Sequence, residues 1–266
     1  QSENSFKKKL VILNRLNKEN RNTIYALALA QAVLGSQMPM YIILGGLVGR
    51  SLASSACYAT LPISLIIIGS MISSPILSNL MQSTTRRFGL LLGNLAGLIG
   101  SITSVLGIFS SSFELFLLGS FISGAYMASQ AFYRFTATDV CEDQFKARAI
   151  STVLSGGLIA AILGPSLIKL SLNLNTTDPF LYSYSAIVIL NCLGPFILYY
   201  VKQPNSSKEV EDSGNKNPIC GRDKSNRSFA IIFKSPAILV SISCSMIAYG
   251  VMNLIMTSSP IAIVGC

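Results

Sequence analysis

Seven long stretches of the chain carry no charged side chain, and short clusters of charged residues separate them. The uncharged stretches cover 22–49, 51–85, 88–113, 115–133, 149–168, 179–201 and 235–266. Each approaches or exceeds the roughly 20 residues that a helix needs to cross about 30 Å of hydrocarbon. They predict transmembrane helices over about 23–45, 57–80, 89–110, 114–134, 148–169, 180–201 and 236–260. The predicted fold class is therefore an all-α, polytopic transmembrane helical bundle.

Composition agrees with this class and excludes several kinds of catalytic site and metal site. Hydrophobic residues fill 51% of the 266 positions and charged residues 12%, which is too few charges for a soluble surface. The chain has no histidine, and its six cysteines form no C-x-x-C pair. Histidine-dependent catalysis and the usual histidine or paired-cysteine metal sites are excluded. We expect no enzyme activity, no cofactor and no metal site.

The basic residues alternate with the predicted helices. Eighteen of the 20 Lys and Arg residues lie before the first helix or in the loops after the second, fourth and sixth helices. Only Arg50 and Lys169 lie in the other loops. The positive-inside rule predicts a cytoplasmic N-terminus in a cell (inner) membrane. Because the basic residues concentrate in alternate loops, their expected partner is the lipid bilayer and not nucleic acid.

Composition also divides the chain into segments. Residues 1–22 are a basic cytoplasmic N-terminal segment, and 23–201 form a six-helix N-terminal transmembrane domain. Residues 202–234 are polar with mixed charges, which is typical of a flexible linker, here cytoplasmic. Residues 235–266 contain helix 7, the expected start of an incomplete C-terminal domain.

Helix 5 carries small residues on one face. Gly156, Ala160 and Gly164 recur every four residues, and Pro165 follows. Small residues allow close approach of helix backbones in a membrane, and proline bends a helix. The stripe fits either ordinary tight packing or a packing face that moves during transport.

The predicted organisation resembles the major facilitator superfamily. It has six helices, a cytoplasmic linker and a further helix, and Gly164-Pro165 lies late in helix 5. That family carries G-x-x-x-D-R-x-G-R-R between helices 2 and 3, where residues 78–87 keep only the final Arg86 and Arg87. Its proton-coupled drug exporters have an arginine at the position of Ser120. Drug or metabolite export remains an alternative function, but not through that arginine.

Longer matches resemble a bacterial subgroup of this family that includes riboflavin transporters. They lie at 133–139, 146–151, 156–165 and 249–256. The resemblance implies a major facilitator-like six-helix half followed by a seventh helix. It also implies transport of a small-molecule solute by alternating access.

In that architecture helices 1, 4 and 7 line the solute cavity, and polar stripes occur on these helices. The candidate solute contacts are Gln37 and Tyr41 on helix 1, Tyr126, Gln130 and Arg134 on helix 4, and Tyr249 and Asn253 on helix 7. Amides also join helices through hydrogen bonds, and an arginine near a helix end also reaches the lipid headgroups. Both interpretations of the stripes stay open.

Candidate gating residues lie at the cytoplasmic ends. They are Arg86, Arg87 and Arg148, the last of which has Asp139, Glu142 or Asp143 as possible partners in a gate or a solvated charge cluster.

Acidic residues are missing from the middle of every predicted span, and Glu114 and Asp178 lie at outer edges. A proton relay needs a titratable group within the membrane. We therefore expect a facilitator, or coupling through residues elsewhere, for a neutral or aromatic solute. Alternating access requires about twelve helices in two halves, so the missing C-terminal half is an expected requirement for transport. A fragment of a longer transporter and a truncated, non-transporting remnant are both open.

Overall fold

The structure, a computed structural model, describes residues 21–55, 58–140, 145–174, 179–199, 201 and 236–265. Within these ranges the regular elements are helices, and no strand occurs. The helices are α1 (21–33), α2 (Gln37–Leu52), α3 (Leu61–Ser83), α4 (Arg86–Phe109), α5 (Phe113–Ala131), α6 (Tyr133–Asp139), α7 (Lys146–Leu174), α8 (Pro179–Tyr199) and α9 (Pro236–Gly265).

Within the part of the chain that the structure describes, seven helical spans are long and apolar enough to cross a membrane. Helices α1 and α2 make the first span, Arg21–Leu52, and α5 and α6 make the fourth, Phe113–Asp139. The all-α, polytopic transmembrane class is thereby confirmed. The first span passes its predicted end at 45 because Arg50 lies in the last turn of α2, where a basic side chain favours the negative end of the helix dipole.

The chain divides into two compact units. Unit Gln1–Gln203 contains α1 to α8, and unit Pro204–Cys266 contains α9. The predicted N-terminal segment 1–22, apart from its last two residues, and the predicted linker 202–234 lie outside the described residues.

Side-chain caps begin the central helices. The Thr85 hydroxyl accepts a hydrogen bond from Phe88 N at 3.3 Å, and the Ser112 hydroxyl accepts one from Leu115 N at 3.4 Å. Such caps satisfy backbone donors that the first helical turn leaves unpaired. Glu114 adds a negative charge at the positive end of α5. These caps and the Glu114 charge favour helix starts at Arg86 and Phe113, directly after short connections from α3 and α4.

Glycines bring α5 against α3 and α4. A Cβ atom built on Gly119 would lie 2.7 Å from the Gly100 carbonyl oxygen and 2.6 Å from Ser104 N. On the other side of α5, a Cβ on Gly124 would lie 2.6 Å from Ser70 N. Side chains at either glycine would separate the backbones. Helix α5 is therefore packed closely between α3 and α4.

Candidate functional site

The first membrane span is broken near its middle. Helix α2 begins at Gln37 after a three-residue turn, because Pro39 has no N–H and its ring clashes with the carbonyl four residues earlier, that of Gly35. Met38 N donates to Gly35 O at 3.2 Å, and Gln37 N donates to Leu34 O at 3.1 Å. These tighter bonds replace one helical turn and leave the Leu34 carbonyl free to accept a second donor.

Tyr126 supplies that second donor from the fourth span. Its side chain is completely buried, and its hydroxyl donates to Leu34 O at 2.7 Å. The Tyr126 hydroxyl oxygen accepts a hydrogen bond from Gln130 Nε2 at 3.2 Å. The helix-4 stripe proposed from sequence thus connects directly to the break in the first span.

A second buried network centres on Asn191 in α8. Asn191 Nδ2 donates to Gln37 Oε1 at 2.9 Å and to Ile187 O of its own helix at 3.1 Å. Asn94 Nδ2 of α4 donates to the Asn191 carbonyl oxygen at 2.8 Å. All three amide side chains are at most 1% exposed. The network joins α2, α4 and α8 through uncharged groups.

Sequence analysis missed Asn94 and Asn191. Both stand in an Asn-x-x-Gly pattern, with Gly97 and Gly194 as the glycines. A Cβ on Gly97 would lie 3.0 Å from Asn191 Oδ1, and a Cβ on Gly194 would contact Asn94 Oδ1. The same four-residue pattern in two uncharged stretches was the available signal. We call these four residues the Asn–Gly clasp.

Several buried polar atoms near these networks have no hydrogen-bond partner within the described ranges. They include Gln37 Nε2 and the hydroxyls of Tyr41 and Tyr184. The Tyr41 and Tyr184 rings meet edge to face with centroids 6.3 Å apart, and Phe116 packs on Tyr184 at 5.5 Å. The interior therefore combines aromatic walls with hydrogen-bonding groups that the protein itself leaves unused.

Arg134 lies apart from the other helix-4 candidates. Gln130 is 8% exposed, whereas Arg134 is exposed and places its guanidinium carbon 5.2 Å from the Phe135 ring centroid. The turn at Phe132 separates α5 from α6 and interrupts the stripe that a continuous helix would carry. Tyr126 and Gln130 face the interior together, and Arg134 does not join them.

The candidates of helix 7 lie on α9, in the second unit. Tyr249 and Asn253 are one turn apart, and Asn253 Nδ2 donates to the Tyr249 carbonyl oxygen at 2.9 Å.

The small-residue stripe of α7 lies against the first span. A Cβ on Gly156 would contact the Ala28 carbonyl, and one on Gly164 would lie 2.5 Å from Pro39 Cγ. Between them, the Ala160 Cβ is 3.3 Å from the position of a Cβ on Gly35. Helix α7 therefore follows the first span closely on both sides of its break, and Pro165 comes directly after the contact with Pro39.

One end of the bundle carries charged and aromatic contacts. Arg86 Nε is 2.7 Å from Asp139 Oδ2, which joins the start of α4 to the end of α6. The Arg87 guanidinium carbon lies 4.8 Å from the centroid of the Tyr199 ring in α8. Asp139 thus pairs with Arg86, while the Arg148 side chain is exposed. The other partners considered for Arg148, at 142 and 143, lie outside the described residues.

The Arg86–Asp139 pair is expected to stabilise the fold only slightly. Its side chains are 27% and 44% exposed, and pairs of this exposure contribute about 0.2–1 kcal/mol. Arg86→Asp or Asp139→Arg should lower the thermal unfolding midpoint slightly, and the double exchange should restore it. Midpoints measured in low and high salt test this, because salt screens exposed charges. A double variant no more stable than the sum of the single losses would refute the pairing.

Comparison with known proteins identifies related sequences. Residues 25–264 match the family model of the Major Facilitator Superfamily. The chain is 34% identical to the riboflavin transporter RfnT of Brucella anthropi over 248 residues, 92% of this chain and 59% of that protein. It is 24% identical to the uncharacterized MFS-type transporter YdeG of Bacillus subtilis over 253 residues, 91% of this chain and 57% of that protein. No solved structure matches the chain significantly.

Proposed function

Because this chain belongs to the major facilitator superfamily, we propose that it serves alternating-access transport of a small, neutral or aromatic solute. The chain is a multi-pass membrane protein. It spans 59% of the length of RfnT and 57% of the length of YdeG. The proposal applies to the transporter of which the chain provides six helices and a seventh. Solute, lipid bilayer and a C-terminal half are its proposed partners.

The chemistry of the buried networks is the observation that supports a neutral solute. They consist of amides and phenols, and no charged side chain is among the buried residues that the structure describes. An ionic solute would need a compensating charge in this low-dielectric interior. A neutral solute with hydrogen-bonding edges needs none.

The aromatic cluster narrows this class to flat, conjugated solutes. Tyr41, Phe116 and Tyr184 meet at edge-to-face angles and present large apolar surfaces beside the polar groups. A relative with 34% identity is named as a riboflavin transporter. Riboflavin has an aromatic ring system edged with carbonyl oxygens, and we propose it as the first solute to test.

We propose the polar stripes as solute contacts in a conformation that opens the interior. The proposed contacts are Gln37, Tyr41, Tyr126, Gln130, Arg134, Tyr249 and Asn253. For helix 1, the burial of Gln37 and Tyr41 and their unpartnered groups support this. For helix 4, the Tyr126 hydroxyl donates to Leu34 O of the first span, and Gln130 Nε2 donates to the Tyr126 hydroxyl. Binding would shift the population toward the open conformation.

Gate and packing roles are part of the same proposal. Arg86, Arg87 and Arg148 would act at one end, where Arg86 and Arg87 already join α4 to α6 and α8. Gly156, Ala160, Gly164 and Pro165 would let α7 move along the first span. We place this end and the N-terminus in the cytoplasm of a cell (inner) membrane, because the basic residues concentrate in alternate loops.

Vesicles that contain the full transporter, which is this chain together with its proposed C-terminal half, are expected to take up riboflavin faster than protein-free vesicles, with saturation. Uptake is followed by flavin fluorescence after rapid filtration, and a charged solute of similar size is the comparison. Because no acid lies within the buried networks, uptake should persist after an ionophore dissipates the proton gradient. Complete loss with the ionophore would overturn facilitation. No saturable uptake of riboflavin or of other neutral aromatic solutes would overturn the proposed transport function.

A further inference from the structure

We propose that Asn191 is a positioning residue that fixes which end of the Gln37 amide meets the solute. The inference rests on the proposed transport function and deepens it. Asn191 lies on α8, outside the helices in which sequence analysis placed the solute contacts. It acts through Gln37 and does not itself touch the solute.

The direction of one hydrogen bond sets the orientation of the Gln37 amide. Asn191 Nδ2 is the donor and Gln37 Oε1 the acceptor, at 2.9 Å. A primary amide has one acceptor end and one donor end. Holding the Oε1 end against Asn191 therefore leaves the Nε2 end directed elsewhere, and that nitrogen has no partner among the described residues.

Asn191 is itself held in this orientation. Its Nδ2 group has two hydrogens, and the second one is used by Ile187 O at 3.1 Å. Asn94 Nδ2 holds the Asn191 backbone carbonyl at 2.8 Å. Rotating the Asn191 amide would break the bond to Gln37 and the bond to its own helix together. The orientation of Gln37 thus rests on a rigid support that spans α4 and α8.

The consequence is a buried site with unused donors. A buried donor without a partner is unfavourable because it has lost its hydrogen bond to water, and a solute acceptor would remove that cost. The Tyr41 hydroxyl, which has no hydrogen-bond partner among the described residues, provides a second unused group. The site therefore favours a solute that presents acceptors, such as the carbonyl oxygens and ring nitrogens of a conjugated heterocycle.

The test is a double-mutant cycle on transport. Riboflavin KM and maximal uptake are compared in vesicles that contain equal amounts of the transporter with its proposed C-terminal half, as wild type, Asn191→Ala, Gln37→Ala and the double variant. Each single variant should raise KM about tenfold with maximal uptake nearly unchanged, and the double variant should show no further increase, because Asn191 acts only through Gln37. Cys192→Ala, an exposed neighbour on α8, should keep the wild-type KM.

A merely structural role for Asn191 gives a different pattern. It would lower the maximal uptake per folded protein, or its effect on KM would multiply with that of Gln37→Ala. Either result, or an unchanged KM in Asn191→Ala, overturns the positioning role while the transport function stands. If Asn191→Ala does not fold, Asn191→Ser replaces it, because the shorter hydroxyl cannot reach Gln37 Oε1. A wild-type protein that transports no neutral aromatic solute overturns the proposed function and this inference with it.

Discussion

Gly124→Val is expected to prevent the protein from reaching its folded state. At this position a Cβ atom would contact Ile66 O and would lie 2.6 Å from Ser70 N and 2.7 Å from the Gly69 carbonyl carbon. Backbone atoms of a packed helix cannot move aside as a flexible side chain can. Overpacking costs of about 3 kcal/mol or more follow, and α3 would separate from α5.

Gly157→Val is the matched control for this change. It is the same substitution in a membrane helix, but a Cβ on Gly157 would meet only Gln31 Nε2, at 3.9 Å. Size-exclusion profiles of the solubilised proteins should show a folded peak for Gly157→Val and wild type and aggregate for Gly124→Val. A normal folded peak for Gly124→Val would mean that α3 and α5 are not in this close contact.

Tyr126→Phe should destabilise the first unit and impair transport. The change leaves Gln130 Nε2 without its acceptor and removes one of the two donors to Leu34 O. Losing a buried hydrogen bond and leaving a polar group unpaired costs about 1–3 kcal/mol. The break in the first span would also lose its link to α5, so riboflavin uptake should fall together with the free energy of unfolding.

Tyr133→Phe is the control because it removes the same atom from an equally buried tyrosine. The Tyr133 side chain is fully buried, but its hydroxyl has no hydrogen-bond partner among the described residues. Its loss should leave stability unchanged or slightly increased. Chemical unfolding followed by circular dichroism measures both variants. Equal losses in Tyr126→Phe and Tyr133→Phe would show that the bond to Leu34 contributes nothing.

The membrane spans were predictable because their signal is local. An uncharged stretch of about 20 residues has few alternatives to a transmembrane helix, so the class followed directly. The break in the first span was missed although Pro39 was visible in the sequence. Membrane helices tolerate proline when neighbouring groups satisfy the freed backbone atoms, and here Tyr126, which is distant in sequence, is such a group.

The partners of polar residues were less predictable because they depend on how the helices rotate and dock. Asp139 was considered as a partner of Arg148, but α6 brings it to Arg86 at the start of α4. Asn94 and Asn191 were missed because a single amide in an apolar helix produces no periodic stripe. Tyr126 and Gln130 were selected from their four-residue spacing, and their hydrogen bond uses that spacing.

The Asn–Gly clasp has an internal symmetry. Each asparagine oxygen faces the other helix's glycine, in the direction where a Cβ would stand and where glycine instead has a hydrogen. Each glycine Cα–H can therefore form a weak contact with the asparagine oxygen of the other helix, from Gly97 to Asn191 Oδ1 and from Gly194 to Asn94 Oδ1. The two contacts are related as equivalent contacts are in a two-fold symmetric dimer. Since α4 and α8 are the third and sixth spans, they cross in opposite directions, and an approximate two-fold axis between them would lie in the membrane plane. An alanine at Gly194 would meet the whole Asn94 amide, and an alanine at Gly97 would also place its Cβ 2.8 Å from Tyr126 Cβ, so either change would disturb the packing of α4 against its neighbours.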